Sequence, residues 1–596
     1  MREMAGPVME PIAVDEHLLR PVMARAAAEP ERAMAAYREG DRFVDVTVRE
    51  FYERLRAVAK GLIASGVEAG DRVALMSATR LEWVLLDYAI LAAGGVTVPI
   101  YETSSAEQVE WVVGDSGAVM FVAETPAMHK MYGSVEDRVP GCREALVIED
   151  GALDRLADRG ASVPEAALDE RIAGITTDRL ATIIYTSGTT GRPKGCSLTH
   201  GNLRANVWQN LDAVRSMLQP DEVSLLFLPL AHSLAKIILL VGVEWGVKGV
   251  FSTGMAHLQE EMGMARPTMV VAVPRVFEKV FNGAEQKAAS EGHASIFEKA
   301  AGVAIEWSRA HANGGFRPVV EAEHAVFEHL VYQKVHEVFG GRLRFSFSGG
   351  GPLGERLTHF FNGSGVKVFE GYGLTETSPT LTLNRSSAWR PGTVGQPVAG
   401  TTIRIADDGE VLAKGPQVFQ GYWNNSVATA ETFDEDGWFK TGDVGELDDE
   451  GYLRITGRKK ELIVTAAGKN VAPAPLEDRI RAHPLISQAV VVGDNRPFVA
   501  AMVTIDEEAF AEWAAAHGHP AETVAEGAED PALHEAVQKA IDDANSSVSR
   551  AESIRKFAIL PRDLSVEDGE LTPTLKVRRA IVEKSFSSVV DELYEH

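Results

Sequence analysis

The chain has 596 residues, with 85 acidic against 59 basic side chains, a formal charge of −26, and 45% hydrophobic and 24% charged residues. That balance excludes a disordered chain and argues against nucleic acid as a partner, because a net negative surface repels phosphate polyanions. Two cysteines, Cys142 and Cys196, cannot build a disulfide framework or, alone, a four-ligand zinc site.

The length implies about three to five folding units, or fewer around a large α/β body. Met1 to Asp15 lacks the apolar core of a signal peptide. From Val48 onward helical and strand-like stretches alternate. Phe51 to Ser65 places Phe51, Leu55, Ala59 and Leu62 at three- and four-residue spacing, which predicts a helix. Val73–Met76 reads as a strand, Glu82–Ala93 as a helix, and Val96–Ile100 and Val119–Val122 as strands. Such alternation predicts a layered α/β body. The most apolar run, Leu225 to Val243, is interrupted by His232 and Lys236, so it reads as core beside a pocket rather than a membrane span. The expected location is cytoplasmic, with peripheral membrane contact left open, since an amphipathic surface need not show in net charge.

Between about residues 395 and 456 short strands (Thr402–Ile405, Glu410–Lys414, Tyr452–Ile455) alternate with Gly and Asp turns, which predicts a small antiparallel β subdomain. A smaller α+β segment follows, with a helix over Pro475–His483 and strands over Ile486–Val492 and Ala500–Thr504. The predicted division is a body of residues 1–459 and a C-terminal cap of residues 460–596.

The most informative segment follows the strand-like Ala181–Ile184. It reads Tyr185-Thr186-Ser187-Gly188-Thr189-Thr190-Gly191-Arg192-Pro193-Lys194-Gly195. Its hydroxyls and free N–H groups suit phosphate oxygens, its glycines permit a tight wrap, and Lys194 adds a point charge. It is not a Walker loop, because the second glycine of that spacing falls on Pro193. Downstream come Leu228-Pro229-Leu230-Ala231-His232, Ser348-Gly349-Gly350-Gly351-Pro352-Leu353 and Glu370-Gly371-Tyr372-Gly373-Leu374-Thr375-Glu376-Thr377. Thr441-Gly442-Asp443, Gly457-Arg458-Lys459-Lys460 and Leu571-Thr572-Pro573-Thr574-Leu575-Lys576 complete the series.

These motifs, in this order over nearly the whole chain, resemble the adenylate-forming superfamily of acyl-CoA synthetases, luciferases and peptide-synthetase adenylation domains. The resemblance implies ATP, Mg²⁺ and CoA as cofactors and co-substrates. It implies that Thr186 to Gly191 and Lys194 hold phosphates, that Gly349 to Pro352 pack against adenine, that Tyr372 offers a face for the purine, and that Glu370, Gly371 and Gly373 belong to the same cofactor-binding site. Thr375 would donate to a phosphate, and Glu376, with Thr186, would hold the metal. Asp443 would accept from the ribose hydroxyls, Arg458 would lie near ribose or phosphates, and His232 would lie beside the substrate carboxylate. Lys576 would stabilise adenylate formation, although relatives carry glycine where this chain has Leu575. Lys460 would be the hinge about which the cap rotates, bringing Gly468 and its neighbours to a pantetheine channel. Three further segments (Pro99-Ile100-Tyr101-Glu102-Thr103-Ser104-Ser105, Arg266-Pro267-Thr268 through Lys279, and Gly468-Lys469-Asn470-Val471-Ala472-Pro473) resemble the long-chain fatty acyl-CoA synthetase subgroup. Another carboxylic acid, a carrier-protein acceptor, or a non-catalytic nucleotide or acyl sensor with this fold stay open as alternatives.

Overall fold

The structure is a computed structural model that describes residues 2–186, 192–312, 314–466, 469–518, 523–572 and 575–595. Two large sheets build the body. One has seven strands, five of them parallel neighbours in the order Leu180–Thr186, Val96–Ile100, Arg72–Met76, Met120–Ala123 and Glu144–Val147. The other has nine strands, with parallel neighbours Lys367–Gly373, Phe345–Ser348, Met269–Ala272, Val223–Leu226 and Lys248–Phe251 at its centre. A core of helices shares one apolar cluster with residues of both sheets. The helix Leu81–Ala92 shows why: it is apolar almost all round, and every residue but Glu82 is buried, as expected of a helix enclosed on nearly all faces.

Local signals set the element ends. Thr47 with Glu50, and Ser105 with Gln108, form capping boxes that start the helices Val48–Ala64 and Ala106–Ser116. The helix predicted from Phe51 therefore begins three residues earlier. The antiparallel subdomain is present, with strands Thr402–Ile405 and Glu410–Lys414 as expected. Its last strand is Leu453–Arg458 rather than Tyr452–Ile455, and the N-terminal strand Glu3–Ala5 joins its edge. The strand Phe439–Leu447 lies against the last one, setting Asp443 opposite Arg458.

In the cap the helix Pro473–Arg481 and the strands Ile486–Val492, Val499–Ile505 and Ile554–Ile559 enclose a separate core. The cap touches the body through Arg275, which donates to Ser487 Oγ at 3.0 Å, and Arg356, which donates to the Ala482 carbonyl at 3.2 Å. No helix among the described residues is long and apolar enough to cross a membrane.

Candidate active site

A cavity of about 2590 Å³ opens where the cap meets the body, and its walls include Lys194, Gly350, Tyr372, Arg458 and Lys576. Parallel strands place it. Phe345–Ser348 runs directly into Gly349–Pro352, and Lys367–Gly373 ends in the Tyr372 turn, so the glycine loop and the turn both lie at the carboxyl edge of the sheet, where open α/β sheets bind ligands.

The glycine requirement is steric at two points. Gly350 has φ +85°, in the left-handed region. At Gly373 a Cβ would stand 1.6 Å from the Pro379 carbonyl oxygen, so no other residue fits. Glu370, expected at the nucleotide, is buried, lines the cavity and braces this loop. Its carboxylate accepts from Leu353 N–H at 3.1 Å and from the Thr358 hydroxyl at 3.0 Å. Gly349, Gly351, Pro352 and Gly371 also line the cavity.

Tyr372, Asp443 and Arg458 form one unit. The Tyr372 hydroxyl donates to Asp443 Oδ2 at 2.7 Å, and Arg458 Nε pairs with Asp443 Oδ1 at 3.1 Å. Burial, and then the Asp443 charge, push the Tyr372 phenol well above its ordinary pKa, so it stays a neutral donor.

Lys576 reaches into the same space, its Cε 3.9 Å from where a Cβ on Gly350 would be. The lysine is wetted by the cavity but surrounded by protein. Desolvation first, and then the Arg458 charge, lower its pKa to about 8, while Asp443, Glu461 and Glu376 pull the other way. His232 caps the helix Ser233–Trp245 and accepts the Leu234 N–H at Nδ1, 3.2 Å away. Burial, and then the Lys576 charge, hold its pKa at about 3. A neutral imidazole with Nδ1 accepting carries its proton on Nε2, which leaves a donor for an anionic group.

At the other wall the strand Leu180–Thr186 pairs with Lys194–Thr199, setting Thr186 opposite Lys194. Ser187, Gly188, Thr189, Thr190 and Gly191 lie outside the described residues. Glu376 sits in a short turn, and its Oε1 accepts from the Tyr422 hydroxyl at 2.7 Å. Lys194 Nζ lies 5.1 Å from the centre of the Tyr422 ring, within cation–π range. Tyr422 thus links two expected site residues and was missed from the sequence. Nothing local marks it, because the contact depends on Gly421–Tyr422 pairing with Ser197 and Cys196. Thr375 is buried, with its hydroxyl 3.2 Å from that of Ser233. Lys460 lies exposed in the turn Lys459–Glu461 at the junction of body and cap. Gly468 lies outside the described residues; the neighbouring Lys469 pairs with Glu552 of the cap at 3.3 Å.

From this polar end the cavity continues as an apolar channel between the helix Ser233–Trp245 and the nine-stranded sheet, past Leu234, Ile238, Val241, Val271 and Phe347. One enclosure therefore joins charged groups that can hold phosphates to a slot that can hold a hydrocarbon chain.

The chain resembles known proteins over its whole length. It is 49% identical over 600 residues to the long-chain-fatty-acid–CoA ligase FadD15 of Mycobacterium tuberculosis, covering 100% of both chains. It is 30% identical to the long-chain-fatty-acid–CoA ligase ACSBG2 of Xenopus laevis, covering 94% of this chain and 81% of that one. Among solved structures, the adenylation domain of a carboxylate reductase from Mycobacterium chelonae shares the fold, with a TM-score of 0.76, 23% identity, and coverage of 98% of this chain and 92% of that one. The model of the AMP-binding enzyme matches residues 23–423 and that of the AMP-binding enzyme C-terminal domain matches residues 460–596, so the chain belongs to the family of AMP-binding enzymes.

Proposed function

We infer that the protein ligates a long-chain fatty acid to CoA through an acyl-adenylate. The observation that carries this is the joined cavity, with Lys576, Arg458 and Asp443 at its polar end and an apolar channel beyond His232. In the first half-reaction a carboxylate oxygen attacks the α-phosphorus of ATP. The bond to the bridging oxygen breaks and pyrophosphate leaves with its electron pair. In the second, the CoA sulfur attacks the acyl carbon and AMP leaves.

No protein nucleophile is needed, so the chain's own work is electrostatic and positional. Lys194 and Lys576 offset the anionic charge gathered at the α-phosphorus. Asp443, held by Arg458 and Tyr372, is oriented for the ribose hydroxyls. Nε2–H of His232 directs the acid's carboxylate. Glu376 fits a magnesium ion, which takes one or two carboxylates and fills its remaining positions with phosphate oxygens and water. Glu376, with the Thr186 hydroxyl nearby, would hold the ion, which when bound supplies positive charge at the phosphates. Rotation about Lys460 would withdraw Lys576 and bring the segment around Gly468 to the thiol step.

The test is AMP release with ATP and Mg²⁺, with and without CoA, across acids from acetate to long-chain fatty acids plus one aryl acid. CoA-dependent release that rises with chain length supports the reading. ATP binding without turnover of any acid would favour a sensor, and turnover only with a carrier protein would change the acceptor.

Two predictions follow from individual contacts. The Lys576 ammonium is required charged, and its pKa is lowered to about 8. The kcat/KM for ATP, which reports the free enzyme, is therefore expected to fall as pH rises through about 8. Thioester formation from supplied acyl-AMP should lack that limb; a shared limb would assign the titration elsewhere. Tyr422→Phe keeps the ring beside Lys194 but removes the bond to Glu376. A hydrogen bond to a charged group is worth about 1.5–3 kcal/mol, so about a 10- to 100-fold loss in kcat/KM for ATP is expected. Unchanged ATP–pyrophosphate exchange would show that Glu376 needs no such support.

A further inference from the structure

The apolar channel has an uneven floor. On the sheet face toward the helix Ser233–Trp245, Leu226, Phe251, Met269, Val271 and Phe347 are bulky and line the cavity. At one level across the sheet the register pairs Met269 with Ser224, Ser224 with Gly249, and Gly249 with Ala35. Three adjacent strands thus present small residues side by side, and all three line the cavity, with the Leu226 side chain leaning over Gly249, its Cδ1 3.0 Å from where a Cβ would stand. Gly242, from the helix, also lines it. The row is deep. Met269 is level with Phe345, three residues before Ser348, which at the rise of a strand is about 10 Å inward from the edge that carries the glycine loop.

A second observation shows that this end is not simply apolar. Ser224 is 3% exposed, and its hydroxyl has no hydrogen-bond partner among the described residues. Its neighbour Leu225 packs into the core on the opposite face of the sheet, so Ser224 and Leu226 share the channel side. A buried hydroxyl left without a partner costs about 1–3 kcal/mol. A channel shaped for plain hydrocarbon alone gains nothing from one.

We propose that Ser224, in the row of small residues with Gly249 and Ala35, is a specificity-determining residue that hydrogen-bonds an oxygen substituent on the acyl chain, so that long-chain acids hydroxylated between mid-chain and the terminal carbon are preferred substrates. The inference rests on the ligase reading above and names the substrate class of that same site. Ser224 supplies the partner that a methylene cannot use. Discrimination arises because each oxygen would otherwise be buried unpaired.

The experiment measures kcat/KM for hexadecanoic acid and for its mid-chain and terminal hydroxy derivatives, in the full-length enzyme with ATP and CoA. The expected result is a preference of about tenfold for at least one hydroxy acid over the parent, in line with one buried hydrogen bond. Ser224→Ala should bring that ratio near unity, and Ser224→Thr, which keeps the hydroxyl, should retain it. Equal kcat/KM for all the acids in the wild-type enzyme, or a ratio that Ser224→Ala leaves intact, overturns the proposal while the ligase reading stands. No CoA-dependent AMP release with any acid overturns both.

Discussion

Lys576→Ala is expected to lower the adenylation half-reaction by about a hundred- to a thousandfold, the range measured when a preorganised transition-state donor is removed, and to leave thioester formation from supplied acyl-AMP within a few fold. The reason is positional. Lys576 is brought to the glycine loop and to Arg458 and Asp443 by a turn in which Thr572 N–H donates to the Lys576 carbonyl at 2.8 Å and Lys576 N–H donates to the Thr572 hydroxyl at 3.0 Å. Its charge is held in a partly dehydrated space, where it acts more strongly on a phosphate than it would in water. The thiol step would use the other cap orientation, from which Lys576 is withdrawn. ATP–pyrophosphate exchange reads the first half-reaction, and acyl-CoA formation from synthetic acyl-AMP reads the second. Equal losses in both would remove Lys576 from the adenylation role.

Much of this was legible in the sequence because the elements that frame the site are locally encoded. The β-branched run Val96–Ile100 and the strands Thr402–Ile405 and Ile486–Val492 occur at the expected residues. The texture that separates the antiparallel subdomain from the α/β body is a matter of turn residues and period, both visible without contacts. What stayed hidden depends on pairing between distant segments. Glu370 lies in the same string as Tyr372 and Glu376 and lines the same cavity, yet its carboxylate accepts from Leu353 N–H and the Thr358 hydroxyl, partners that the glycine loop and the helix Glu355–Gly363 bring in from outside the string. Tyr422 enters the site only through a two-residue edge strand. The departure at Leu575 has a structural counterpart. Its φ is +60°, in the left-handed region that glycine adopts without penalty, so the turn before Lys576 keeps the shape expected of glycine at a steric cost of roughly 1–2 kcal/mol.

Lys236→Met should destabilise the body by about 3–5 kcal/mol, as when one partner of a buried ion pair is removed. Lys236 interrupts the most apolar run of the sequence, and both it and Asp87 are 0% exposed, with Lys236 Nζ 2.7 Å from Asp87 Oδ1. The pair ties the helix Ser233–Trp245, which walls the acyl channel, to the helix Leu81–Ala92 behind it. Lys236 Nζ also stands 5.6 Å from the centre of the Trp83 ring, while Asp87 Oδ2 and the Tyr88 hydroxyl have no hydrogen-bond partner among the described residues. With Lys236 gone, Asp87 would be a buried charge without a counterion. Adding Asp87→Leu should recover most of the loss, because well-packed apolar replacements of a buried pair are often neutral or stabilising. Urea unfolding of the single and double variants, followed by tryptophan emission, measures this; a double variant no more stable than Lys236→Met would show that packing of the lysine stem, rather than charge, holds the helices together. The acid-length profile of the double variant adds a second readout. If the ion pair fixes the position of the channel-lining helix, the profile should broaden even where stability returns, since methionine and leucine allow more side-chain arrangements than a salt bridge between two buried groups.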